Sequence, residues 1–298
     1  MAQLSDFQIA LAKRIAACPD GGEVLGWQRL GEGAGGTHWR ALGRQGSWFV
    51  KTATDAAELF AAEADGLSAL AAANTIRVPR VLTAGVQDDI GYIVMEWLEL
   101  RGKDTGLHAA AQLGKALAWQ HGKLADQFGW SRHNFIGATP QFNSFADDWV
   151  KFLRQHRLGF QLQLAAENGY RGELQNLGGR LLERLPEFFT DYLPRPSLLH
   201  GDLWGGNWGV LESGEPVTFD PAVYYGDREA DLAMTELFGG FPAEFHAAYQ
   251  DEFPLDSGYR VRRDVYNLYH LLNHLNLFGG SYLAQVERVF QRVFAETG

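Results

Sequence analysis

The sequence predicts an α+β fold in two lobes, a small antiparallel sheet followed by a larger and mainly helical part. Within residues 1–98, short runs of alternating apolar residues are separated by glycine-rich turns, which is the pattern of hairpins. Beyond them, apolar residues recur at three- and four-residue spacing, which indicates helices. With 298 residues, 46% of them hydrophobic, the chain is long enough for one large or two modest cores. We therefore expect an N-terminal lobe over residues 1–98 and a C-terminal lobe over residues 99–298.

Charge and composition argue against several classes of protein. The 36 acidic residues outnumber the 26 basic ones, giving a formal charge of −10, whereas non-specific nucleic-acid binding needs the opposite balance. No apolar run approaches the roughly eighteen residues of a membrane span, and residues 1–17 lack the basic start and apolar centre of a signal peptide. The single cysteine, Cys18, cannot form an intrachain disulfide. We expect a cytoplasmic protein, a monomer or weak dimer, with neither nucleic acid nor membrane as a partner.

The first lobe opens with a helix and a glycine-rich loop. Ser5 is a good helix cap, and Phe7, Leu11 and Ile15 follow at four-residue spacing on one face. Residues 30–37, Leu-Gly-Glu-Gly-Ala-Gly-Gly-Thr, then contain G-x-G-x-x-G. Dinucleotide-binding folds and kinases both place this motif over phosphates, so the motif alone does not decide between them.

The residues after the loop favour a hairpin that covers phosphates. A dinucleotide-binding loop opens a helix, whereas here a second glycine-rich turn at residues 43–46 leads into Ser-Trp-Phe-Val-Lys, a strand pattern. Glycines let backbone N–H groups close on phosphate oxygens. An ordinary glycine-rich turn remains the alternative. The candidate phosphate-contacting residues are Gly31, Gly33, Gly35, Gly36 and Thr37.

Lys51, at the end of that strand, is predicted to pair with Glu63. The following helix carries Leu59 and Leu67 on its apolar face, and Glu63 lies four residues from each of them. A carboxylate on an apolar face needs a counter-charge. In kinases a strand lysine supplies it and also contacts phosphates. Arg77 and Arg80 are the alternative partners.

Two further strands are expected at residues 78–81 and 91–98, and the second leads to the lobe boundary. Helical stripes follow, one of them through Leu113, Leu117 and His121, where the histidine is interpreted as a core residue.

A carboxylate and amide pattern later in the chain predicts phosphoryl transfer. Residues 200–207 read His-Gly-Asp-Leu-Trp-Gly-Gly-Asn, and a second strand-borne aspartate follows at position 220. In kinase-type sites the first Asp accepts the proton of the attacking hydroxyl, while the Asn and the second Asp hold Mg²⁺ against the triphosphate. Hard Mg²⁺ prefers such oxygen ligands. We therefore assign Asp202 as the base and Asn207 and Asp220 as metal ligands.

The motifs as a set resemble the fructosamine (ketosamine) 3-kinase family. The resemblance rests on the residue 200–207 motif, on Phe-Asp-Pro-Ala at 219–222, on Tyr-Tyr-Gly-Asp-Arg-Glu-Ala-Asp-Leu-Ala at 224–233 and on Phe-Gly-Gly-Phe-Pro at 238–242. Residues 134–143 and 267–280 extend it over nearly the whole chain. The family belongs to the aminoglycoside-phosphotransferase-like group, so the resemblance implies a bilobal, protein-kinase-like fold.

The resemblance also implies an activity and further site residues. It implies ATP- and Mg²⁺-dependent transfer to the 3-hydroxyl of a ketosamine, a fructosamine or ribulosamine adduct of lysine or a small amine, in deglycation or protein repair. It implies that the Glu96 carbonyl and the Leu98 N–H bind adenine and that Asp231 supports the catalytic-loop backbone. Thr37 stands where some members carry a cysteine, which argues against redox control at this loop.

Substrate contacts are expected from Trp204 and from one face of a late helix. Trp204 offers an aromatic face to a sugar or a cationic amine, and packing under the catalytic loop is the alternative. His270, Asn273 and His274 offer hydrogen-bonding groups to a polyhydroxyl ligand, and satisfied interior groups are the alternative. Zinc at the two histidines is disfavoured because no glutamate or cysteine cluster accompanies them.

Two other functions remain open. An aminoglycoside- or choline-type kinase shares the core motifs but ordinarily lacks the Asp-Leu-Trp and Phe-Gly-Gly-Phe signatures. A pseudokinase would bind nucleotide without turnover, and the presence of Lys51, Glu63, Asp202, Asn207 and Asp220 argues against it.

Overall fold

The computed structural model describes residues 5–33, 35–44, 46–101 and 106–296. Ala34, inside the expected glycine-rich loop, therefore lies outside the described residues. The chain forms two compact units. The first comprises the described part of Met1–Thr105 together with Gly209–Pro221, and the second comprises Gly106–Trp208 and Ala222–Gly298. The division of function between lobes at residue 98 stays a prediction.

The first unit is built on a five-stranded antiparallel sheet of order β1-β2-β3-β5-β4. Its elements are α1 (Asp6–Ala17), β1 (Val24–Gly33), β2 (Gly36–Gly43), β3 (Ser47–Thr54), α2 (Ala57–Ala73), β4 (Val81–Gln87) and β5 (Ile90–Glu96). The predicted antiparallel sheet is confirmed. The strand expected at residues 78–81 is displaced, because β4 begins only at Val81, after Pro79, whose nitrogen cannot donate to a ladder.

The two faces of the sheet are filled by different helices. The predicted cap of α1 is confirmed as a capping box, in which Ser5 and Gln8 exchange hydrogen bonds of 3.2 Å. Leu11 of α1 packs with Val50 of β3 in one core cluster. Because side chains alternate across a strand, the next residue, Lys51, points to the opposite face, where α2 lies.

A later segment of the chain completes the first unit. Strands β9 (Trp208–Val210) and β10 (Pro216–Thr218) pair with each other. Val217 forms a parallel bridge with Arg77, and the Thr218 N–H donates to the Arg77 carbonyl at 3.0 Å. The Arg101 N–H donates to the Val210 carbonyl at 2.7 Å. These bonds bring Asp220, which follows β10, into the unit that carries Lys51.

The second unit is mainly helical, as predicted, and the α+β class is confirmed. Its helices are α3 (Leu107–His121), α4 (Trp149–Phe152), α5 (Phe160–Glu167), α6 (Glu173–Arg184), α7 (Glu229–Leu237), α8 (Ala243–Glu252), α9 (Tyr259–Phe278) and α10 (Leu283–Ala295), with a π-helical stretch, Leu153–Gly159, joining α4 to α5. Short hairpin strands β6 (Asn134–Ile136) and β7 (Thr139–Gln141) pair, as do β8 (Ser197–Leu199) and β11 (Tyr224–Gly226). Within the described ranges, no helix has the length and apolar character needed to cross a bilayer.

Candidate active site

Lys51 lies at the centre of a charged cluster in the first unit. Its Nζ is 2.7 Å from a carboxylate oxygen of Glu63 and 2.7 Å from Oδ1 of Asp220. The Lys51 side chain is 5% exposed and that of Glu63 11%, whereas that of Asp220 is 42% exposed. Burial alone would lower the pKa of Lys51, but the two carboxylates outweigh burial and raise it above its ordinary value. The ammonium therefore stays charged.

The two alternative partners for Glu63 are engaged elsewhere. The Arg77 guanidinium donates to Glu96 at 2.6 Å, and Arg80 donates to Asp20 at 2.8 Å. The predicted pairing of Lys51 with Glu63 is therefore present in the structure.

Asp220 adopts an unusual backbone conformation for a residue with a side chain. Its φ is 55°, in the left-handed region, where Asp and Asn are the side-chain residues found most readily. Such conformations cluster at functional sites, because the surrounding structure must hold them in place. Here the bond to Lys51 directs one carboxylate oxygen inward while much of the side chain faces solvent.

The glycine-rich loop is a tight hairpin between β1 and β2. Gly33 pairs with Gly36, and Gly31 pairs with His38. Gly36 has φ of 99°, and a Cβ there would stand 2.4 Å from the Thr52 carbonyl oxygen, so only glycine fits. A Cβ on Gly35 would lie 3.9 Å from Cδ of Lys51. The hairpin therefore passes close to the lysine.

Thr37, the last predicted residue of the loop, is part of β2. It pairs with Thr52 of β3, whose hydroxyl donates to the Thr37 carbonyl at 3.4 Å. All five predicted loop residues thus lie in the same unit as Lys51.

A pocket of about 400 Å³ opens beside the end of β5. Leu98 and Glu96, the predicted adenine-binding residues, both line it. The Glu96 carboxylate is turned toward Arg77 and the Arg80 N–H, the latter at 3.2 Å. The other walls include apolar side chains and the carboxylate of Asp220. The pocket therefore offers an apolar slot that ends at the charged cluster.

His38 is a pocket residue that sequence reasoning missed. It lines the pocket, faces Phe49 with ring centroids 5.4 Å apart and pairs with Lys51 across β2 and β3. Burial, and then the Lys51 charge, lower the pKa of His38, which favours the neutral ring. Its Nε2 is buried and has no hydrogen-bond partner among the residues that the structure describes. The available signal was its place two residues after the last glycine of the motif, where kinases carry valine.

The predicted base and its amide neighbour lie together in the second unit. The Asn207 side-chain NH₂ donates to the backbone carbonyl of Asp202 at 2.8 Å and to its Oδ2 at 3.1 Å. The Asp202 N–H in turn donates to Nδ1 of His200 at 3.3 Å. Asn207 is buried, at 5% exposure, whereas Asp202 is half-buried. The loop therefore fixes the carboxylate through its own backbone and side chains.

Asp231 holds the same loop from behind. Its carboxylate accepts the His200 N–H at 2.7 Å and the Gly201 N–H at 2.8 Å, the bonds that the resemblance implied. His121, fully buried as expected of a core histidine, lies 3.1 Å from Asp231 through Nε2 and 2.9 Å from the Tyr249 hydroxyl through Nδ1. Burial alone would raise the pKa of Asp231, but the His121 bond and the other polar neighbours lower it.

Trp204 is exposed on the catalytic loop. It is 40% exposed, and a Cβ on Gly206 would stand 2.3 Å from its indole ring, so the ring covers Gly206. Gly205 is approached by Gly240, where an added Cβ would lie 2.8 Å from the Gly205 Cα. Two residues earlier, Phe238 faces the His274 ring at 4.8 Å. The 238–241 turn therefore links the catalytic loop to His274.

The three polar residues of α9 do not form one surface. Both functional groups of Asn273 are engaged in the interior, since it donates to the Ile136 carbonyl at 3.3 Å and accepts from Gln161 at 3.1 Å. The interior alternative therefore describes Asn273. His270 is 5% exposed, and burial lowers its pKa to about 3. Of the three, His274 is half-buried, and its Nδ1 donates to the His270 carbonyl at 2.8 Å.

The donor set suits a hard cation. Asp220 and Asn207 offer carboxylate and amide oxygens, which Mg²⁺ prefers, and Mg²⁺ needs only one or two protein ligands when a phosphate supplies others. Among the residues that the structure describes, no three His, Cys, Asp or Glu side chains are grouped as a metal site would require. The oxygen donors of these two side chains fit the chemistry of Mg²⁺.

The chain is similar to several known proteins over most of its length. Residues 18–296 match the family model described as fructosamine kinase. A Synechocystis sp. protein named "Probable ketoamine kinase" is 47% identical over 236 residues, 79% of this chain and 78% of that protein. The chloroplastic "Protein-ribulosamine 3-kinase" of Arabidopsis thaliana is 42% identical over 241 residues, 80% of this chain and 73% of that protein. The crystal structure of a "Putative fructosamine-3-kinase" from Haemophilus somnus superposes with a TM-score of 0.87 at 27% identity, covering 95% of this chain and 96% of that one.

Proposed function

The chain belongs to the fructosamine kinase family, and we propose that it transfers the γ-phosphoryl group of ATP to the 3-hydroxyl of ketosamines. The family match and the named relatives confirm the family predicted from the sequence motifs. They also confirm the class of enzyme, a phosphotransferase that uses an alcohol acceptor. The substrates proposed are fructosamine or ribulosamine adducts of lysine or of small amines.

One observation carries the proposal, the way in which Asp202 is held. Asp231 fixes the backbone of its loop, and Asn207 donates a hydrogen bond to the Asp202 carboxylate. A phosphoryl group passes through a loose transition state, so the protein must position and neutralise more than it must attack. In this scheme Asp202 accepts the proton of the sugar hydroxyl as that oxygen bonds to the γ-phosphorus. The bond from that phosphorus to the β–γ bridging oxygen of ATP breaks, and ADP leaves.

The first unit is proposed to bind the nucleotide. The Glu96 carbonyl and the Leu98 N–H bind adenine. The N–H groups of Gly31, Gly33, Gly35, Gly36 and Thr37 cover the phosphates. Lys51, kept charged and positioned by Glu63, contacts the phosphates. Asn207 and Asp220 hold Mg²⁺, which when bound neutralises charge on the transferred group.

The acceptor is proposed to contact exposed groups of the second unit. Trp204 presents an aromatic face to the sugar or to the protonated amine. His274 lies beside the turn that reaches the catalytic loop, and the buried, neutral His270 supports it through its carbonyl. Asn273 is left out, because its polar groups are satisfied within the protein.

The other functions are less well supported. An aminoglycoside- or choline-type kinase would not be expected to match the fructosamine kinase model over residues 18–296. A pseudokinase that binds nucleotide without turnover would not need a positioned Asp202. A deglycation or repair role, a cytoplasmic location and a monomeric or weakly dimeric state remain predictions from the sequence and the resemblance.

The decisive experiment is a substrate panel with ATP and Mg²⁺. Ketosamines of lysine and of small amines, the matching free ketoses and an aminoglycoside are compared by kcat/KM. We expect ketosamines to be favoured strongly, because a site built to bond hydroxyls and an amine rejects analogues that leave its polar groups unpaired. Equal or better kcat/KM for the aminoglycoside would move the protein to that class of kinase.

A further inference from the structure

A buried amide network lies beneath the catalytic loop in the second unit. Asn134, Gln141 and Asn143 are 6%, 1% and 0% exposed. The Asn134 Oδ1 accepts two hydrogen bonds of 2.8 Å, one from the Gln141 side chain and one from the Asn143 side chain. These residues come from the β6–β7 hairpin and the segment after it. The proposed function gives this stretch no contact with nucleotide or acceptor.

Two further buried residues fix the orientation of these amides. The Tyr269 hydroxyl donates to Oε1 of Gln141 at 2.7 Å. The Arg157 guanidinium donates to Oδ1 of Asn143 at 2.7 Å and lies 4.0 Å from the centre of the Tyr224 ring. The Gln141 oxygen accepts from Tyr269, and the Asn134 oxygen accepts from Gln141 and Asn143. These bonds fix which way each amide is turned and therefore where its NH₂ group points.

Those NH₂ groups bind one short piece of backbone. Gln141 donates to the Ala222 carbonyl at 3.1 Å, and Asn134 donates to the Val223 carbonyl at 2.7 Å. Ala222 comes two residues after Asp220 in the chain. Successive carbonyls of the segment are thus held by two side chains that are also hydrogen-bonded to each other.

The clamped segment is also in contact with the catalytic loop. The Ala222 N–H donates to the His200 carbonyl at 2.9 Å. Gly201 has φ of 82°, and a Cβ there would stand 2.0 Å from the Ala222 carbonyl oxygen, so the two backbones touch. Asp202 is the next residue. Asp231 therefore binds the N–H groups of His200 and Gly201, while Ala222 binds the His200 carbonyl.

We infer that Asn134 and Gln141 are positioning residues, which set the placement of Asp202 by clamping the Ala222–Val223 backbone against His200 and Gly201. The inference rests on the proposed function, because it gives Asp202 a reaction to be positioned for. The side-chain amides of Asn134 and Gln141 are hydrogen-bonded through both their oxygen and their nitrogen. A buried network satisfied in this way specifies one arrangement and resists others. A misplacement of about 1 Å at a reacting group costs up to about 100-fold in rate.

The test uses Gln141→Met, which keeps the side-chain length and removes the bonds to Ala222 and Asn134 together with the acceptor of the Tyr269 hydroxyl. Tyr269→Phe removes only the group that orients Gln141. We expect kcat to fall about 10- to 100-fold in Gln141→Met and less in Tyr269→Phe, with KM for ATP unchanged in both, because the nucleotide residues are not altered. Amide hydrogen exchange over residues 198–207 should accelerate in the same order.

Trp149→Phe is the matched control. Trp149 is 3% exposed in the same unit, and the change removes a 3.0 Å bond to the Tyr266 hydroxyl. This variant should lose stability without changing kcat or loop exchange at a temperature where it is folded. Loop exchange in Gln141→Met equal to that of Trp149→Phe, or a normal kcat despite faster exchange, would overturn the inference.

The two proposals fail in different ways. If the wild-type protein phosphorylates no ketosamine, the proposed function fails, while the exchange measurement still decides whether the network holds the loop. If Gln141→Met does not fold, Tyr269→Phe carries the test, since it preserves the ring and the core volume. Unchanged loop exchange in folded Tyr269→Phe would then count against the clamp.

Discussion

The backbone of Gly33 lies directly over the imidazole ring of His38. A Cβ on Gly33 would stand 2.7 Å from Cε1 and 3.2 Å from Nε2 of that ring. Real Cβ atoms do not approach this closely, so a side chain at position 33 must displace either the hairpin or the histidine.

Gly33→Ala should therefore weaken nucleotide binding, and a second change should restore it. We expect about a 10-fold weaker ADP affinity, because overpacking costs roughly 1–3 kcal/mol. Gly33→Ala with His38→Val should recover most of it, because valine leaves room and suits this motif position. Isothermal titration of ADP measures both. Gly26→Ala in the same strand, with its nearest contact at 3.9 Å, is the control. Additive losses in the double variant would contradict the steric explanation.

Lys51→Met should destabilise the first unit strongly. Glu63, 11% exposed, would keep a buried carboxylate without its cation, a change that typically costs about 3–5 kcal/mol. Urea denaturation measures the loss. Arg29→Met is the control, since the pair it breaks with Glu32 is exposed on both sides and should have a much smaller effect. Similar losses of unfolding free energy in the two variants would show that the buried Lys51–Glu63 pair does not stabilise the fold more than an exposed pair does.

Asp202→Asn should abolish most phosphoryl transfer while nucleotide affinity stays nearly intact. A lost general base typically costs about 10²- to 10⁴-fold in rate, whereas the change does not touch the nucleotide pocket. Single-turnover kinetics and ADP titration separate the two effects. Asp251→Asn, an exposed acid on α8, should behave as wild type. A turnover rate within about threefold of wild type would remove Asp202 as the base.

Asp220→Ala should weaken magnesium-dependent nucleotide binding and turnover together. The change deletes the proposed carboxylate ligand of Mg²⁺ and one of the two carboxylate partners of Lys51. Asn207→Ala should have the same effect less severely. Asp220→Asn keeps an oxygen donor and tolerates the φ of 55°, so it separates loss of charge from backbone strain. Magnesium titrations that overlay wild type in both alanine variants would place the ligands elsewhere.

His270 should make the protein less stable as pH falls. Burial lowers its pKa from 6.5 to about 3, so below pH 6.5 the unfolded state takes up a proton that the folded state does not. The stability it contributes is complete above pH 6.5 and is lost as pH falls toward 3, by up to about 1.4 kcal/mol per pH unit. Unfolding of His270→Gln between pH 7 and pH 5 should show a shallower dependence, whereas exposed His108→Gln should not. If the free energy of unfolding changed with pH equally in wild type and His270→Gln, His270 would not be the cause of the pH dependence.

The sequence predicted those parts of the site that spacing along the chain encodes. Glu63 was found because helical periodicity placed it on an apolar face, and the pairing with Lys51 is present. The bonds of Asp231 were expected only through the resemblance, since no local pattern connects it with His200.

The remainder depends on contacts between distant residues. Gln141 and Ala222 are bonded although eighty-one positions separate them, and nothing in either local sequence points to the other. Asn273 is a second example. Its position on the helix follows from the sequence, but its inward orientation depends on hydrogen bonds to Gln161 and to the Ile136 carbonyl, which are distant in the chain. His38 is not indicated by its motif, because the glycines carry the phosphate-binding signal and the position two residues after them holds an apolar valine in kinases.

The first unit is discontinuous in the chain, and this has a consequence for its synthesis. Its sheet is complete once Glu96 has been made. Val217, which bridges Arg77 outside that sheet, and Asp220 join the unit only after Gly106–Trp208 has also been translated. Until then Lys51 has Glu63 but not its second carboxylate. Because domains tend to fold as they emerge from the ribosome, a nascent chain stopped before residue 209 should form the sheet without the finished charged cluster. Competence to hold a nucleotide would therefore be acquired late, in one step, when the returning strand docks against Arg77.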